Sequence, residues 1–124
     1  MRLDHVGIRA KDIKQALAFY TEVLGLEHLE TIEILGNQYY FVGNEQTRIE
    51  IEQAPAQADW EPVERGGLQH FALIVEDLEA LFRRLRERGV KVIIPPSRFR
   101  PDRKIAFIED PDGSRIQLIE LLKS

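Results

Sequence analysis

Two runs of alternating apolar and polar residues, "LDHVGIRA" from residue 3 and "LQHFALIV" from residue 68, each lead into a stretch with helical spacing. In the first run Val6 and Ile8 fall on one face of the predicted strand, and Leu3, His5 and Gly7 on the other. Ile13, Ala16, Leu17, Tyr20 and Leu24 then recur at the period of one helix face. Asp12 is placed to cap that helix, with Gln15 as its capping-box partner, and Gly25 to end it. After the second run Asp77 takes the cap position, Leu78, Leu81, Phe82 and Leu85 form the apolar stripe, and Gly89 closes the helix one residue earlier in register. His5 aligns with His70 and Asp12 with Asp77, so the two runs share one register.

The correspondence continues beyond the helices. "YFVGNEQTRIEI" (40–51) aligns with "AFIEDPDGSRIQL" (106–118) once an extra residue is allowed in the turn, pairing Phe41 with Phe107 and Glu50 with Gln117. Asp110-Pro111-Asp112-Gly113 has proline second and glycine fourth, the composition of a tight turn. Each half reads strand, helix, strand, strand, strand, giving two modules of about 1–54 and 67–124 in a single domain. The repeat is longer than the 20–50 residues or so of solenoids and indicates a duplicated half-domain. Ile49 and Ile51 oppose Arg48 and Glu50, as Ile116 and Leu118 oppose Arg115 and Gln117. One face of every such strand is therefore an apolar row suited to packing under a helix, and the other carries His5, Glu50, His70 and Gln117. A pseudo-twofold axis between the halves would gather those four on one concave surface. The expected fold is α+β: two paired β-α-β-β-β modules forming a curved mixed-sheet cleft, with helices on the outer face.

Composition narrows the function. The chain has 124 residues, 44% hydrophobic and 31% charged, with a net charge of −4, so bulk attraction to nucleic acid or an anionic membrane is not expected. No apolar run approaches the ~18 residues of a membrane span, and a cytoplasmic protein is expected. With no cysteine, any metal must be held by histidine, carboxylate or amide groups. Arg83, Arg84, Arg86 and Arg88 read as a solvated helix face, and His28, without a counterpart in the repeat, as a surface or loop residue. The segment "PPSRFRPDRK" (95–104) reads as a connection following Pro95 and Pro96. Its Arg98, Arg100 and Arg103 offer, as the functional alternative, a substrate-binding clamp for a carboxylate or phosphate tail. Between the modules runs "APAQADWEPVERGG" (54–67), whose Trp60 reads as a loop residue packing onto the body or onto a second subunit, with a lid over the cleft as the alternative.

From "LDHVGIRAKDIKQALAFYTEVLGLE" through "IEIE" and "LQHFALIVEDL" to "FIEDPDGSRIQLIE", the chain resembles the vicinal oxygen chelate superfamily. That group holds glyoxalase I, methylmalonyl-CoA epimerase, fosfomycin- and bleomycin-resistance proteins and extradiol dioxygenases. The resemblance implies a cleft around one divalent ion (Ni, Co, Zn, Mn or Fe), with His5, Glu50, His70 and Gln117 at the ligand positions. Most metal enzymes of the family carry glutamate at the fourth position, where this chain has Gln117. Two imidazoles, a carboxylate and an amide would leave the ion open to two vicinal oxygens of a small-molecule substrate. The implied activity is that of a metal-dependent isomerase or lyase of the glyoxalase I type, with Glu50 as catalytic base and an anionic thiol adduct as substrate. A methylmalonyl-CoA epimerase-like enzyme and a metal-free drug-binding protein of the bleomycin-resistance type are the alternatives. The resemblance also implies a homodimer.

Overall fold

The computed structural model describes residues 1–55 and 67–123, in two compact units, Met1–Pro62 and Val63–Ser124. Trp60 lies outside the described residues. In the first unit the elements run β1 (Val6–Ala10), α1 (Ile13–Ala18), a π-helical turn (Phe19–Val23), β2 (Glu27–Ile34), β3 (Asn37–Gly43) and β4 (Arg48–Gln53). The second unit repeats the order as β5 (His70–Ile74), α2 (Leu78–Glu87), β6 (Val92–Arg100), β7 (Arg103–Glu109) and β8 (Arg115–Leu121). The sheets are ordered β1-β4-β3-β2 and β5-β8-β7-β6. In each, the first and last strands pair in parallel and the rest antiparallel, so both sheets are mixed.

The registers carry the duplication into three dimensions. Gly7 lies opposite Glu50 and Phe41 opposite Glu50 in the first unit, as Ala72 lies opposite Gln117 and Phe107 opposite Gln117 in the second. Ile49 and Ile51 are buried with Ala16 and Tyr20, while Ile116 and Leu118 are buried in the unit where Leu78, Phe82 and Leu85 line the inner stripe of α2. Fully burying such a side chain stabilises by about 1.5–3 kcal/mol, so this apolar row is what fixes the strand faces against a one-residue slip.

The helices differ by one residue, and the difference has a structural outlet. In α2, Val90 N–H donates to the Leu85 carbonyl and Gly89 N–H to Arg86, with Gly89 at φ 68, a Schellman end. In the first unit the longer helix widens instead: Leu24 N–H donates to Phe19, Gly25 turns at φ 78, and Leu26 N–H beyond it donates to Tyr20. The extra residue is absorbed as a π-turn.

Loop chemistry is duplicated as well. Asn44 Oδ1 accepts from Gln46 and Thr47 N–H at 2.8 and 2.9 Å, and Asp110 Oδ1 from Asp112 and Ser114 N–H at 2.9 and 2.8 Å. The expected turn at 110–113 closes through Gly113 N–H to the Asp110 carbonyl at 3.0 Å.

The stretch read as a connection after Pro95 and Pro96 is instead part of strand β6, which turns through Pro101-Asp102 into β7. Two prolines are tolerated because β6 is an edge strand with irregular register against its single neighbour β7.

Candidate functional site

Each unit presents its histidine beside the same kind of neighbours. His5 immediately precedes β1, and its ring meets Phe41 edge-on, with centroids 5.4 Å apart and planes at 85°. His70 opens β5 and meets Phe107 in the same way, at 5.2 Å and 87°. The Nδ1 atom of His5 lies 2.7 Å from Asp4 Oδ2, and that of His70 lies 3.0 Å from Gln69 Oε1. A carboxylate or amide oxygen only accepts, so Nδ1 is the donor in each bond and Nε2 is left free to ligate. The hydrogen bond from His5 holds the Asp4 carboxyl below its ordinary value.

His5 Nε2 points to Glu50, 3.6 Å from Oε2. A divalent ion sits roughly 2.0–2.2 Å from nitrogen and oxygen ligands, so one ion can reach both atoms at this separation. Gly7 lies opposite Glu50, and a Cβ there would stand in van der Waals contact with Glu50 Oε1, at 3.4 Å. The chemistry of this donor pair fits the expected ion. In the second unit, the strand register puts Gln117 on the His70 side of β8, as it puts Glu50 on the Gly7 side of β4. Two of the four expected ligands thus belong to each unit. Among the described residues, no three His, Cys, Asp or Glu side chains form a cluster able to hold an ion.

The opposite faces hold a second polar pair that sequence reasoning assigned no role. Gln53 Oε1 accepts from Ile13 N–H at 3.0 Å, and Glu120 Oε1 from Leu78 N–H at 2.7 Å, each capping its unit's helix from the last strand. Asp12 and Asp77 supply the local caps, accepting from Lys14 and Gln15 and from Ala80. The carboxylate and the amide have exchanged places between the units: Glu50 with Gln53, but Gln117 with Glu120. The only available signal was the alignment itself, in which residues 53 and 120 occupy equivalent positions.

Arg98, Arg100 and Arg103 lie together at the β6–β7 hairpin. Arg100 and Arg103 both pair with Asp102, at 3.2 and 3.3 Å, while Arg98 donates to the Pro101 carbonyl at 2.8 Å. Partial desolvation pushes the Asp102 carboxyl up, but the Arg103 hydrogen bond and the two guanidinium charges outweigh it and hold it below its ordinary value. Lys104 reaches Glu79 at 3.7 Å. His28 is exposed on β2, with Nε2 2.8 Å from Thr31 Oγ1. The four arginines of α2 and its C-terminus are exposed. Among the described residues no helix is long and apolar enough to cross a membrane.

Two β-α-β-β-β modules, each a four-stranded mixed sheet with one helical segment, match the fold of glyoxalase family structures. The chain belongs to the Glyoxalase/Bleomycin resistance protein/Dioxygenase superfamily, whose family model matches residues 2–118. It is 35% identical over 130 residues to a lactoylglutathione lyase of Salmonella typhimurium, covering 97% of this chain and 93% of that protein. Among solved structures it is similar to the trypanothione-dependent glyoxalase I of Leishmania major, with a TM-score of 0.78 and 28% identity over 97% of this chain and 86% of that one. A glyoxalase family protein of Bacillus cereus superposes with a TM-score of 0.83 at 22% identity, covering 99% and 95% of the two chains, a likeness of fold.

Proposed function

We propose that this protein is a metal-dependent isomerase-lyase of the glyoxalase I type, acting on the adduct of a small 2-oxoaldehyde with an anionic thiol such as glutathione. The observation that carries the reading is the His5–Glu50 pair, with Nε2 and the carboxylate 3.6 Å apart, in a chain 35% identical to a lactoylglutathione lyase. His5 and His70 would give their Nε2 atoms, Glu50 a carboxylate oxygen and Gln117 its amide oxygen to one divalent ion. When bound, such an ion would supply electrostatic stabilisation of negative charge developing on two vicinal substrate oxygens.

The chain's own residues carry the proton. Glu50 removes the proton from the carbon that bears sulfur and returns it to the neighbouring carbon, converting a hydroxy-thioether ketone into a 2-hydroxy thioester. Gln117 cannot accept a proton in this way, so transfer occurs from the Glu50 side alone and one configuration is favoured. Arg98, Arg100 and Arg103 are the proposed contacts for the thiol's anionic tail, with Arg98 the most available because its partner is a neutral carbonyl.

Two measurements test the reading. Protein purified without chelator should hold one divalent ion per set of four ligands, and should convert methylglyoxal and glutathione to a thioester detected by its ultraviolet absorbance. His70→Ala should lose both ion and turnover. Equal, low metal content in parent and variant, with no thioester formed, would instead favour a metal-free binding protein of the bleomycin-resistance type.

A further inference from the structure

We propose that Asp4 is a positioning residue: it holds the His5 ring by Nδ1 and so presents Nε2 toward Glu50. The inference rests on the metal reading above and concerns a residue which that reading does not use. A ligating imidazole must offer an unprotonated nitrogen, and which nitrogen that is depends on the partner of the other. Asp4 Oδ2, at 2.7 Å, fixes the proton on Nδ1. The edge contact with Phe41 then sets the plane of the ring.

Recurrence is the second observation. At the repeat-equivalent position Gln69 Oε1 accepts from His70 Nδ1 at 3.0 Å, with Phe107 in the place of Phe41. An arrangement that appears in both units, built from different residue types, has a common task in holding the ring. The task is not folding: the Asp4 side chain is 82% exposed, and exposed polar pairs contribute little to stability. The two units also differ in strength. A carboxylate behind His5 makes that ring a stronger donor than an amide does behind His70.

The test uses the full chain, with Zn²⁺ or Ni²⁺ alone as the probe. The variants are Asp4→Leu, Asp4→Asn and, as a control for loss of one negative charge, Glu33→Gln on the exposed side of β2. In metal-free protein, at a pH where the rings are neutral, ¹⁵N NMR reads the tautomer of each histidine. The parent should show His5 protonated on Nδ1, and Asp4→Leu should move that proton to Nε2, where Glu50 accepts it. Competition with a chromophoric chelator should show Zn²⁺ affinity falling about 10–100-fold in Asp4→Leu, as loss of such an outer partner does. Asp4→Asn, which keeps an acceptor as Gln69 does, should retain the tautomer and lose less affinity. Glu33→Gln should stay within about twofold of the parent, as a screened surface charge should. Unfolding transitions should coincide throughout. A His5 ring that keeps its proton on Nδ1 in Asp4→Leu overturns the proposal, as does unchanged Zn²⁺ affinity. If the parent binds neither ion, the metal reading fails. The tautomer, measured without metal, then still decides whether Asp4 holds the ring.

Discussion

Replacing Glu120 separates its capping role from any place among the metal ligands. Its carboxylate accepts the N–H of Leu78, the first residue of α2, at 2.7 Å, and Leu78 is fully buried. In Glu120→Leu that N–H loses its partner. A hydrogen bond involving a charged group is worth about 1.5–3 kcal/mol, so the variant should lose stability in that range. Glu120→Gln keeps an acceptor and removes only the interaction of the charge with the helix N-terminus, about 0.3–1 kcal/mol. Gln53 shows that an amide suffices, since it caps α1 in the same manner at 3.0 Å. Urea denaturation of metal-free protein followed by circular dichroism gives both differences. Metal content of the two variants should equal the parent's. Equal stabilities for Glu120→Leu and the parent would refute the capping argument. Loss of metal with unchanged stability would place Glu120 among the ligands instead.

Two further predictions follow from local geometry. Leu35 sits in the two-residue β2–β3 turn at φ 53, 97% exposed, so Leu35→Asn should stabilise by about 0.5–1 kcal/mol in the same denaturation assay; an unchanged or lowered midpoint would contradict this. If Arg98 meets an anionic tail, Arg98→Ala should weaken binding of a glutathione adduct by about 1.5–3 kcal/mol in calorimetry, with metal content unchanged, and equal binding would return the hairpin to a solvated surface.

Much of this fold is legible in the sequence because the duplication supplies its own control. Alternation around Ile49–Ile51 and Ile116–Leu118 gives the buried faces, and Asp12, Asp77, Gly25 and Gly89 give the helix ends. The one-residue difference between the helices was visible, but not its outcome, since whether an extra residue lengthens a loop or widens a helix depends on packing. Pro95 and Pro96 concealed β6 because proline removes the ladder donor, and only an edge position makes that harmless. The β2–β3 turn was hidden by Leu35, where a left-handed backbone favours asparagine or glycine. The caps from Gln53 and Glu120 join residues 40 and 42 positions apart, beyond any local pattern. Asp4 and Gln69 are adjacent to their histidines, yet only side-chain geometry shows that they hold them.

The most direct test of the account is exchange of the substrate's transferred proton with deuterated solvent in Glu50→Gln. Glutamine preserves the size of the side chain and an oxygen that can still ligate, so some metal should remain and can be measured in parallel. Removing a general base slows proton transfer by about 10²–10⁴-fold, and NMR of the product formed in deuterium oxide reads that loss directly. Glu50→Gln should bind the thiol adduct and retain metal but exchange the proton at least about a hundredfold more slowly than the parent. Exchange at the parent's rate in metal-loaded Glu50→Gln would show that Glu50 does not carry the proton, and would contradict the mechanism.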